Sequence, residues 1–179
     1  MSVKLRLIQA LVLAGISLIA LSSTALAATT YHVNLAGVET GIPVKDGCGS
    51  GIDLSSFLGR SSGDVNGAFT AAICHTALAP SAEIKPGGLF TLSGRSTDGQ
   101  TIVPVTGQFT GGTVLFVTAD HFGTFCYQLF FVHGTVGPLG TATTPTGDFR
   151  AWLTHYGAWN GNSCNVTFAT VAGRATITA

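Results

Sequence analysis

The stretch LFTLSGRSTDGQTIVPVTGQFTGGTVLF, residues 89–116, decides the fold class. Apolar and polar residues alternate on both sides of Asp98-Gly99, a pair that favours the type I′ hairpin turn because both central positions need positive φ. Taken as a two-residue loop, this pair places Leu92 opposite Val105 and Phe90 opposite Gly107. Gly111-Gly112 predicts the next turn, with Phe109 facing Val114 and Gly107 facing Phe116. Both turns put Phe90, Leu92, Val103, Val105, Phe109, Val114 and Phe116 on one face. A slip of one residue would invert every side chain, so the agreement between the two turns is a real constraint.

The same reading extends in both directions. Asn160-Gly161 predicts a last hairpin that sets Leu153 against Phe168, Ala151 against Thr170, Phe149 against Ala172 and His155 against Val166. Phe122 to Thr135 is apolar on both sides and is expected to be covered on both faces. Val65 to Thr76 alternates, and Thr30 to Leu35 reads as a short first strand. Gly47 to Gly51 and Gly59 to Gly63 read as loops, and Val136 to Gly147, with Pro138 and Pro145, as a longer, mobile flap. No apolar run at helical spacing follows residue 27, and 24 glycines punctuate the chain. The expected fold is all-β: an antiparallel meander of about eight strands closing into a small up-and-down β-barrel, with a two-layer β-sandwich as the alternative.

Ahead of these strands, residues 1–27 carry the pattern of a cleaved signal peptide. Lys4 and Arg6 form the basic opening, Leu11 to Leu21 the apolar run, and Ala25-Leu26-Ala27 the small-x-small cleavage pattern. The run is too short for a stable bilayer anchor, so the exported part, residues 28–179, is expected as one domain in a secreted, extracellular or periplasmic setting. Two of the eight basic residues leave with the signal and all eight acidic ones stay, which leaves the exported chain slightly negative. That balance excludes a nucleic-acid binder. Charged residues are only 9% of the chain, so threonine, serine and glycine must supply the wetted surface.

All four cysteines, Cys48, Cys74, Cys126 and Cys164, lie in the exported part, where two disulfides are favoured over metal thiolates. Three pairings are open. The expected one joins Cys48 to Cys74 and Cys126 to Cys164, because each links a strand to a nearby loop-proximal position.

Signals of chemistry are sparse. Gly59-Arg60-Ser61-Ser62-Gly63 matches the G-x-S-x-G string, but the strand-turn-helix context that string needs is missing. His32, His75, His121, His133 and His155 show no metal-ligand spacing, and no cofactor is expected. Asp120-His121 could join a distant serine only on paper. Asn165-Val166-Thr167 fits a glycosylation acceptor in a eukaryote. Tyr127, Arg150, Trp152, His155 and Tyr156 are the candidate ligand residues, since aromatic rings offer apolar area while polar tips fix orientation. The leading functional expectation is therefore a disulfide-braced binding module for a small apolar or glycan ligand. The alternatives are a self-associating or envelope-bound structural protein and a small barrel isomerase or hydrolase. An integral membrane barrel fits least, because the aromatic residues do not form periodic girdles.

Overall fold

A computed structural model describes residues 28–41, 43–78, 80–99 and 101–179, with the side chains at 101–103 excepted. Residues 1–27 and the Val103 side chain lie outside this description. Among the described residues ten strands follow one another without a helix: β1 (Thr30–Glu39), β2 (Val44–Gly49), β3 (Ile52–Gly63), β4 (Val65–His75), β5 (Ser81–Lys85), β6 (Leu89–Ser96), β7 (Thr101–Phe122), β8 (Phe125–Gly137), β9 (Thr146–Trp159) and β10 (Cys164–Thr178).

Eight of them form a hydrogen-bonded ring in the order β1-β3-β4-β6-β7-β8-β9-β10, every pairing antiparallel. The ring closes where the first strand meets the last, from Thr30↔Thr178 to Val38↔Thr170. Closure satisfies the backbone groups that an open sheet would leave on its edges. The other two strands are accessory. β2 flanks the start of β3, and β5 fills the gap between β4 and β7 beyond the end of β6.

Alternation directs one face inward. Val33, Phe57, Val65, Phe69, Ile84, Phe90, Leu92, Phe109, Val114, Phe130, Val132 and Leu153 meet in a single buried cluster. Each such side chain, once buried, contributes roughly 1.5–3 kcal/mol of hydrophobic stabilisation. On β8 the inner side chains Cys126, Phe130, Val132 and Val136 are buried, whereas Phe125 and Phe131 on the other face keep contact with solvent. The expected double coverage of this segment is therefore absent, because a closed barrel has only one dry side.

The hairpins hold several corrections. Leu92 does face Val105 and Phe90 does face Gly107, but nearer the turn the pairing becomes Gly94↔Ile102. Gly99 N donates to Ser96 O at 2.9 Å and Gly99 takes φ 83°, so the loop has three residues rather than two. The extra residue is absorbed between Ile102 and Val105, next to Pro104, which has no N–H to give to the ladder. Gly111-Gly112 is not a turn. β7 runs straight through it, with Phe109 opposite Val136 and Val114 opposite Val132, and the hairpin falls at Gly123-Thr124. The glycines serve instead where β7 leaves β6 and joins β5: a Cβ on Gly112 would stand 2.3 Å from His133 O.

At the last hairpin the loop is Asn160–Ser163, with Trp159 opposite Cys164. Asn160 Oδ1 accepts hydrogen bonds from the N–H groups of Asn162 and Ser163, and this side-chain brace outweighs the two-residue turn. A bulge between Val166 and Phe168 adds one more residue, so Leu153 faces Val171, and Phe168 pairs with Tyr156 on the outer wall, 53% exposed. Phe116, also expected in the core, sits edge-on against Phe130 and is 43% exposed. Gly59 to Gly63 belongs to β3 and is no loop, and β1 extends to Glu39. The connection 138–145 is tied at both ends, by Gln108 Nε2 donating to Pro138 O and by the buried Pro145.

Two disulfides brace one end of the barrel. Cys48–Cys74 links β2 to β4, the two neighbours of β3, and Cys126–Cys164 links β8 to β10, the two neighbours of β9.

Candidate functional site

The interior holds a cavity of ≈ 100 Å³ walled by Leu35, Phe57, Phe69, Phe90, Val132 and Leu153 among others, with Ser55 and His75 supplying polar groups. Strand register places these polar side chains together. Glu39 is paired with Phe57, Ser55 lies two residues from Phe57 on the same face, and His75 is paired with Asp53, two residues from Ser55. Glu39, Ser55 and His75 thus form a diagonal across β1, β3 and β4 on the inner wall.

Their hydrogen bonds fix the protons. His75 Nδ1 lies 2.7 Å from Thr76 O, and a carbonyl can only accept, so Nδ1 carries a hydrogen. In the neutral ring Nε2 then has a free lone pair, and Ser55 Oγ, 3.0 Å away, donates to it. Ser55 and His75 are 5% and 4% exposed, so this pair is shut away from bulk water. Glu39 also hydrogen-bonds Ser55. Burial raises the Glu39 carboxyl above the ordinary glutamate value, opposed by the Ser55 bond and by the charge of His75.

His155 on β9 is buried too, its ring 5.1 Å from that of Phe130. Burial depresses its pKa, and the charge of His75 pushes in the same direction. The barrel end therefore gathers a serine, two histidines and a glutamate inside an otherwise apolar wall.

The five residues singled out in the sequence do not meet in this cavity. His155 alone is on the inner wall. Tyr127, Arg150, Trp152 and Tyr156 are on the outer wall, where Trp152 sits edge-on to Phe131 at 5.2 Å and Tyr156 stacks on Phe168 at 4.8 Å. Ser61 of the G-x-S-x-G string is buried in mid-strand with no hydrogen-bond partner for its Oγ, far from the context that string requires. Among the described residues no cluster of three or more His, Cys, Asp or Glu could hold a metal ion. The sequence signal for Glu39, Ser55 and His75 is their shared parity on β1, β3 and β4, which are neighbours in the ring; it is hidden where the first strand reads as ending at Leu35 and Gly59 to Gly63 reads as a loop.

No protein-family model, curated protein or solved structure matches this chain. Among the described residues no helix is long and apolar enough to cross a membrane.

Proposed function

We propose that the protein is an exported binding module that takes a small apolar ligand inside its barrel, oriented by the Ser55–His75 pair. The observation that carries this reading is the cavity itself: a mostly apolar wall with a few polar groups, among them the hydrogen-bonded Ser55–His75 pair, is the usual make-up of a small-molecule site. Its ≈ 100 Å³ suits a five-membered ring or a short chain, since an apolar cavity of roughly 150 Å³ holds benzene. An interior this apolar is also the reverse of the wet lumen of an outer-membrane barrel, which supports a barrel that works in water. The two disulfides fit an oxidising compartment outside the cytoplasm.

Thermal unfolding with cyclopentane and cyclopentanone tests the reading. Both should raise Tm, a ligand at a hundred times its Kd adding about 2.7 kcal/mol. Only the ketone should lose affinity in Ser55→Ala. If neither compound, nor any apolar compound of that size, moves Tm, the reading fails. N-terminal sequencing of the exported protein should begin at Ala28.

A second reading, self-association or attachment to an envelope, is favoured by the outer wall, where Trp152, Phe168 and Phe125 stand 47%, 53% and 48% exposed. Clustered exposed aromatics on a neutral surface favour association. Sedimentation that shows only monomer at high concentration would remove it.

A further inference from the structure

We propose that Ser55 and His75 are a hydroxyl nucleophile and its general base, which would make the barrel an acyl-transfer site for small apolar esters. The inference rests on the cavity of the binding reading and adds a reaction to it. Three observations carry it. Ser55 Oγ and His75 Nε2 are 3.0 Å apart, within the reach at which a base takes a hydroxyl proton. The far side of the imidazole is held by Thr76 O at 2.7 Å, which orients the ring and presents the basic nitrogen to the serine. Both side chains line the cavity, so an occupant of it meets the hydroxyl directly.

Ser61 supplies the contrast. It lies on the same strand and is equally buried, yet no histidine or other partner reaches its oxygen. Burial alone therefore does not account for the Ser55–His75 arrangement. The wall also selects the substrate: among the described lining residues there is no Lys or Arg to hold an anionic group, so a neutral ester fits and an anionic one does not.

The step balances with water as co-reactant. Ser55 Oγ bonds to the carbonyl carbon as its proton passes to His75 Nε2. The carbon–oxygen bond to the alcohol breaks, and the alcohol leaves with that proton. Water then attacks the acyl carbon and gives a proton to Nε2, the bond to Oγ breaks, and Ser55 recovers its hydrogen as the carboxylic acid departs.

Methanesulfonyl fluoride, small enough for the cavity, tests the nucleophile on the folded, disulfide-bonded chain. Its sulfur bonds to Oγ while fluoride leaves and His75 takes the proton. Peptide mass spectrometry should find the adduct on Ser55 and not on Ser61. Its formation should be roughly a hundredfold faster than at any serine of the reduced, urea-unfolded chain, the lower end of what a positioned base contributes. Cyclopentanone should slow it, and His75→Gln should abolish the acceleration. The folded-against-unfolded comparison needs no variant, so it decides the matter even if His75→Gln does not fold. No adduct on Ser55, or one formed no faster than in the unfolded chain, overturns the proposal. If labelling fails while cyclopentanone still raises Tm, the nucleophile is rejected and the binding site stands. If both fail, the cavity has neither role.

Discussion

The ring of Phe69 fills the place that a side chain on Gly59 would take. The two residues face each other across β3 and β4, and a Cβ on Gly59 would lie 2.4 Å from Phe69 Cε1. Two further pairs repeat the arrangement. Phe90 covers its partner Gly107, with a Cβ there 2.5 Å from the ring, and Phe149 covers Gly134 at 2.9 Å. A narrow barrel cannot seat two large side chains at one level, so each ring is matched with a residue that has none.

Gly59→Ala should accordingly destabilise the fold by about 1–3 kcal/mol or more, because overpacking must displace both Phe69 and the Ala36 carbonyl, 2.3 Å from the new Cβ. Urea unfolding would show this as a lower midpoint with an unchanged slope. A midpoint equal to wild type would mean that Phe69 moves aside at no cost.

Each disulfide should add a few kcal/mol by restricting the unfolded chain. Chain entropy gives about 3.5 kcal/mol for Cys48–Cys74 and about 3.9 kcal/mol for Cys126–Cys164, from their separations of 26 and 38 residues. Paired Cys→Ala variants, compared by guanidinium unfolding, should both lose stability by amounts of this order. A paired variant as stable as wild type would show that the unfolded state is already restricted there.

Glu39 should make the protein less stable as pH rises. Its folded pKa lies above the ordinary value of 4.5, so the unfolded chain releases the proton first. The associated stability is complete below that value and is lost as pH climbs through the raised folded pKa. Glu39→Gln should flatten this limb in urea titrations between about pH 4 and pH 8. An unchanged limb would mean that another group sets it.

His155 should act in the opposite sense. Its folded pKa lies below 6.5, so the unfolded chain takes up a proton first as pH falls. The stability it contributes is present above 6.5 and is lost as pH drops through the depressed folded value. His155→Leu, which keeps an apolar contact for Phe130, should lose this acid-side slope, measured by Tm against pH.

Much of the architecture was legible because turn residues and alternation act locally. Counting outward from Asp98-Gly99 gives Leu92 opposite Val105, a pairing that holds because a bulge in β7 offsets the third loop residue, and the antiparallel order follows from short connections. The count failed at Gly111-Gly112 because glycine pairs serve a strand junction as readily as a turn, and only the presence of β5 beside β7 distinguishes them. It failed at Asn160 because the loop braced by that side chain moves the register by two, which keeps parity, and a bulge at Thr167 moves it by one more, which sends Phe168 outward.

The candidate site depended on contacts between strands far more than on any motif. Glu39, Ser55 and His75 are unremarkable in the sequence, separated by 16 and 20 residues and flanked by ordinary strand composition. By itself the sequence determined an all-β chain with an inward apolar face and four cysteines spaced along it. Tertiary structure alone decided ring closure through β1 and β10, which residues share the interior, and the meeting of a serine with a histidine. The reason is physical: backbone preference and side-chain parity are encoded residue by residue, whereas register between strands emerges only when the whole wall packs at once.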